Sequence, residues 1–139
     1  MAHDIFEDVA ARHLASIPGI FVKKNHNPGD HSWVAEIDIL AIDISHQRII
    51  LAEVKSGDIR GLIKGLGKFE GEMIDRLRAQ FTRLATVSGL DLSKWPIKVV
   101  FYVRGENQSR LEKAIGDRPW DVICLEDALL LNPSADIDR

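Results

Sequence analysis

The chain has 139 residues, 45% of them hydrophobic and 28% charged, which suits one folded domain with a real core. Its net charge of −3 excludes a generally basic nucleic-acid coat, and its single cysteine, Cys124, excludes an internal disulfide, a cysteine zinc finger and a four-cysteine iron–sulfur site. No window approaches the roughly 18 apolar residues of a membrane span, and the acidic start MAHDIFEDVAARHL lacks the basic-then-apolar order of a secretory leader, so a cytoplasmic protein is expected.

Residues 4–16 predict a helix with Ile5, Phe6, Val9, Ala10, His13 and Leu14 on one stripe, Asp4 as N-cap and Glu7 at the capping-box position. Pro18-Gly19 ends it. Residues 20–24 (IFVKK) read as a short strand, and NHNPGDHS as a loop. Residues 33–44 (WVAEIDILAIDI) predict a long strand, SHQR a turn, and residues 49–55 (IILAEVK) the next strand. The stretch SGDIRGLIKGLGK, with four glycines in thirteen residues, reads as a mobile connection. A helix follows over about 69–87, with Phe69, Met73, Leu77, Phe81 and Leu84 at spacings of three and four and Gly89 as its stop. IKVVFYVRG is a buried strand, SRLEKAIGDR a short helix, WDVICLE the last strand and EDALLLN a final helix before Pro133. This order is α/β, with the later strands parallel through helical crossovers.

Charge interrupts the two central strands, where it is expensive. By strand alternation Val34, Glu36, Asp38, Leu40, Ile42 and Ile44 share a face, as do Ile49, Leu51, Glu53 and Lys55. Pairing Ile44 with Ile49 sets Leu40 opposite Glu53 and Asp38 opposite Lys55; a shift of two residues sets Asp38 opposite Glu53. Either register gathers the carboxylates and the lysine at the hairpin end away from the turn. Cross-strand neighbours lie about 4.5–5.5 Å apart at Cβ, so the carboxylates repel unless one is protonated or a cation intervenes. Magnesium binds through one or two carboxylates and keeps sites for phosphate oxygens. The plainer alternative is a hairpin whose ends emerge into water with a weak Asp38–Lys55 salt bridge.

With Asp38, Glu53-Val54-Lys55 and the following Ser56-Gly57, the chain resembles the PD-(D/E)XK, or restriction-endonuclease-like, nucleases. "EIDILA…ILAEVKSG" is similar to the Holliday-junction-resolvase, RecB-like and small nuclease-related branches, although Ile37 stands where many members have proline. The resemblance implies an αβββαβ core with a central mixed sheet flanked by helices, forming one nuclease-like domain over residues 1–139. It implies hydrolysis of phosphodiester bonds in nucleic acid, DNA in the first instance. Asp38, Glu53 and Lys55 would be catalytic, and Asp38, Glu53, the Val54 carbonyl and Glu7 would hold Mg²⁺, with Mn²⁺ as substitute. Glu36 would be a reserve ligand and Gln80 a residue positioning Lys55 or a phosphate; helix capping explains Glu7 equally simply, and solvation explains Gln80 more simply. A homodimer would let such a nuclease cut two strands. The alternative within the same fold is a catalytically inactive module for nucleic-acid binding or complex assembly.

From Lys55 to Arg83 there are seven basic and four acidic residues, so this segment is +3 and the remainder −6. Such a zone can steer a polyanion. Arg60, Lys64 and Lys68 are the expected phosphate contacts, on a loop able to close over a strand; interspersed surface charge is the other reading. His26, Asp30 and His31 make a weak metal motif, better read as a polar loop, and His13 reads as a structural histidine. A third class of function is a small α/β protein-interaction domain.

Overall fold

The computed structural model describes residues 4–27, 36–88, 91–131 and 137, the side chains of 86–88 excepted. Five strands form one sheet in sequence order: β1 (Ile20–His26), β2 (Ile37–Asp43), β3 (Arg48–Lys55), β4 (Ile97–Val103) and β5 (Asp121–Cys124). β1, β2 and β3 are antiparallel neighbours, whereas β3–β4 and β4–β5 run parallel. The expected α/β architecture with a mixed sheet flanked by helices is therefore observed.

Helix α1 (Ile5–Ala15) starts where expected: the extended Asp4 accepts the Phe6 and Glu7 N–H groups through Oδ1, satisfying two donors of the first turn. Its Ala10, His13 and Leu14 are buried, but Ile5 is exposed, so the apolar stripe is shorter than predicted. The histidine is structural. Its Nδ1 lies 2.7 Å from the Tyr102 hydroxyl, giving that buried phenol a partner. Gly19 then turns the chain at φ +85, where a Cβ would collide with the Ser45 Oγ.

The central hairpin corrects two expectations. The strand predicted over 33–44 runs only from Ile37 to Asp43; residues 33–35 lie outside the described residues, and Glu36 precedes the strand. The observed register pairs Ile42 with Ile49 and Asp43 with Arg48, so the Ile44–Ile49 pairing is wrong by two residues. The reason is electrostatic. Asp43 is fully buried and accepts from Arg48 Nε at 2.8 Å, the His46 ring at 2.9 Å and the His46 N–H at 3.2 Å. That closes a four-residue turn and leaves Ile44 exposed. Burial alone would raise the Asp43 pKa, but the bonds from Arg48 and His46 outweigh it and lower it.

The connection after β3 is not mobile coil but helical. Short helices α2 (Arg60–Lys64) and α3 (Leu66–Phe69) lead through a π-helical turn (Glu70–Ile74) into α4 (Asp75–Ser88). Ile59 and Leu66 are buried against Val99, Phe101 and Val103, which anchors the glycine-rich stretch. The π turn falls in the run Phe69, Met73, Leu77, Phe81, whose repeat of four exceeds the 3.6 residues of an α-helical turn; a wider turn keeps these residues on the sheet. Met73, Leu77 and Phe81 cover Leu40, Ile49 and Leu51, while Leu84 is exposed.

Helix α5 (Gly105–Ile115) makes the second crossover and buries Leu111 and Ile115 on the α3 face of the sheet. Trp120 stacks with Phe69 and Phe101 there. The opposite face is covered by α1 and the short α6 (Leu125–Leu129), through Ala10, Leu14, Leu125 and Ala128 on Ile39, Ala41, Ile50, Ala52, Val100 and Tyr102. No helix among the described residues is long and apolar enough to cross a membrane.

Candidate active site

The start of β2, the end of β3 and the end of β4 meet at one edge of the fold, opposite the Asp43 turn. One step beyond the Ile39–Ala52 pair, the ladder sets Asp38 across from Glu53. The parity argument therefore holds in its shifted register, and the Asp38–Lys55 pairing does not occur. Asp38 is tied to β3 by the Val54 N–H, which donates to its Oδ2 at 2.9 Å. On the other side Glu53 and Lys55 pair in register with Phe101 and Val103 of β4.

Glu53 is the anomalous residue. Its Oε1 is buried without a hydrogen-bond partner among the described residues. Burial first, and then the charge of Asp38, pushes its pKa up to about 10, with Glu7 contributing in the same direction. Glu7, reaching this edge from the first turn of α1, is itself raised to about 7 by burial, Asp38 and Asp4, against a smaller opposing effect of Lys24. Lys24 is engaged by Asp8, which limits what it does for Glu7. Three carboxyl groups thus share a region that lacks enough positive charge to keep them all ionised.

Lys55 is exposed at the strand end and has no ion-pair or hydrogen-bond partner among the described residues. Glu36 is exposed just outside the strand. Gln80 does not reach Lys55: its Oε1 takes the His26 Nε2–H at 2.6 Å and its Nε2 donates to the Asn27 carbonyl at 3.4 Å, tying α4 to the end of β1. Lys23 Nζ lies 3.1 Å from the other ring nitrogen, and burial lowers the His26 pKa, which favours the neutral ring. It pairs with Ile37, next to Asp38, a placement that sequence reading missed because β1 was ended at residue 24. Asp30 and His31 lie outside the described residues.

No family model matches this chain, and no curated protein does. The site rests on its own geometry.

Among the described residues no three His, Cys, Asp or Glu side chains close tightly enough on one point to form a metal cage. Magnesium does not require one, since two carboxylates and a carbonyl with waters suffice. The unpartnered Glu53 Oε1 beside Asp38 is the kind of donor such an ion would satisfy. Of the expected phosphate contacts, Arg60 holds Asp58, Lys68 lies 3.7 Å from Glu72, and Lys64 is exposed. The loop closure expected of this segment does not fit its packed helical form. Sequence reading also passed over Arg104, the first residue after the buried strand β4.

Proposed function

We propose that the protein is a Mg²⁺-dependent phosphodiesterase acting on nucleic acid, with DNA as first substrate, in the manner of the PD-(D/E)XK nucleases. The observation that carries this reading is Glu53, half-buried with its Oε1 buried and, among the described residues, unpartnered, set opposite Asp38 and followed two residues later by the exposed ammonium of Lys55. The order of one helix, three antiparallel strands, a helical crossover and a parallel strand supports it, being that of the αβββαβ core.

Asp38, Glu53 and the Val54 carbonyl would hold the ion, with Glu7 behind them. A divalent cation there lowers the pKa of bound water and offsets charge on the phosphate oxygens. The protein's own part is preparation. The Val54 N–H holds Asp38 in place, and the pairing of β3 with β4 holds Glu53. A bound ion would favour the ionised forms of Glu53 and Glu7, whose pKa values burial raises in the metal-free fold. Lys55 supplies a positive charge to the attacked phosphate or orients the attacking water.

The test is cleavage of DNA with Mg²⁺ or Mn²⁺. Asp38→Asn, Glu53→Gln and Lys55→Ala should each abolish it while the circular-dichroism spectrum stays that of the wild type; full activity in Lys55→Ala refutes the assignment. A binding module of the same fold is the second reading. It is favoured by the stability of a protonated Glu53 in the metal-free site, and calorimetric titration showing no divalent-ion binding would select it.

A further inference from the structure

An open cleft of about 460 Å³ lies at the C-terminal ends of β3 and β4, one residue beyond the Lys55–Val103 pair. Its charged lining is Asp58, Arg60, Arg104, Glu106 and Arg110, with Ser56 and Asn107 beside them. Three guanidinium groups against two carboxylates leave it at +1, in a chain whose total is −3. The walls are held in place. Asn107 donates to the Gly57 carbonyl at 3.2 Å, joining α5 to the turn after β3. Arg104 lies over the Phe6 ring, 5.9 Å from its centroid. Glu126 accepts the Gly105 N–H through both oxygens, fixing the start of α5. In open α/β sheets this side, outside the carboxyl ends of parallel strands, is where ligands settle.

We propose that this cleft binds a backbone phosphate of the DNA strand, close to the phosphate that would be attacked at the ion site of Asp38 and Glu53. The inference takes its substrate class from the function proposed above. Ser56 lies three positions beyond Glu53, about 10 Å along an extended chain, a span covered by the next few phosphates, which recur about every 3.4 Å of axis on each strand. Guanidinium forks match phosphate oxygens in pairs. In the free protein Asp58 stands in for that phosphate. It accepts from the Arg60 N–H at 2.9 Å and from its Nε at 2.6 Å, and it lies 3.7 Å from an Arg110 terminal nitrogen. An arriving phosphate competes with this carboxylate for Arg60 and Arg110, so Asp58 weakens binding and speeds release.

The test is fluorescence anisotropy with a short labelled DNA duplex, and with one of its single strands, in EDTA at several salt concentrations. Arg104→Gln with Arg110→Gln should weaken binding about tenfold or more and reduce the salt slope by about one to two. Asp58→Asn, which keeps an oxygen for the Arg60 N–H, should tighten binding and steepen the slope. A purely structural ion pair cannot give these opposite signs. Binding by all variants equal to wild type, or no binding of either DNA by the wild type, overturns the proposal. Binding is read without metal and cleavage with it, so the two readings fail separately. Retained binding without any cleavage therefore sinks the nuclease reading alone, and cleavage untouched by the arginine changes sinks the cleft alone.

Discussion

Replacing Glu53 by Gln should stabilise the metal-free protein, increasingly so as the pH rises. In the unfolded chain this carboxyl titrates at about 4.5, and in the fold at about 10. Between those values the folded state holds one more proton than the unfolded state, so stability falls with rising pH, by about 1.4 kcal/mol per unit. The folded form is thus fully favoured below pH 4.5 and loses that advantage progressively up to pH 10. At pH 7 the gap of 2.5 units corresponds to about 3 kcal/mol, or roughly 10 °C in Tm for a domain of this size. Glutamine has the same shape and no charge to lose, so its curve should lack this slope. Thermal melts of both proteins from pH 5.5 to 8.5 in EDTA provide the measurement. The two Tm curves should diverge with pH, glutamine on top. Parallel curves would mean that Glu53 ionises without penalty, and the case for a site short of positive charge would collapse.

Cation binding at pH 8 should release about one proton from the wild type, because Glu53 must ionise, and markedly less from Glu53→Gln. Calorimetry in two buffers of different ionisation enthalpy reads this directly. Asp43→Ala should cost about 3 kcal/mol, as expected for removing one partner of a buried ion pair. The lowered pKa of Asp43 adds a sign: its contribution is present above pH 3.8 and lost on acidification, so the mutant's acid limb should be flatter than wild type in urea melts. Gly105→Ala should gain less stability than Gly67→Ala, since the added Cβ at Gly105 would lie 3.1 Å from the Cys124 Sγ and 3.3 Å from a Glu126 carboxylate oxygen, whereas at Gly67, also in a helix, a Cβ meets nothing within 4 Å. Tyr102→Phe should cost about 1–2 kcal/mol in the same melts by taking the hydroxyl from His13.

Periodicity made most elements legible. The apolar, β-branched runs in IILAEVK and IKVVFYV mark strands, and the four-residue repeat from Phe69 marks the long helix, though not its π turn. Two errors share one cause: local composition was allowed to decide what longer-range contacts control. Glycine count made residues 56–68 look loose, yet Ile59 and Leu66 bury themselves on β4. Apolar matching favoured Ile44 with Ile49, yet a buried Asp43 held by Arg48 outweighs it. At the site, parity alone put Asp38 and Glu53 on one face. The approach of Glu7 and the bond between His26 and Gln80, 54 residues apart, come from tertiary packing that no spacing encodes. Arg104 left one signal that could have been read, a cation at the carboxyl end of the apolar run 99–103.

The Asp43–Arg48 bond acts as the vernier of the hairpin. It sits five residues from Asp38, about 16 Å along the strand, yet it decides which residue Asp38 meets. Let the strands slide by two positions and every side chain keeps its face, the core keeps its character, and Asp38 faces Lys55 in an ordinary surface salt bridge. A lesion at the hairpin tip would then silence the distant carboxylates while leaving each of them in the chain, a failure that no inventory of catalytic residues would reveal.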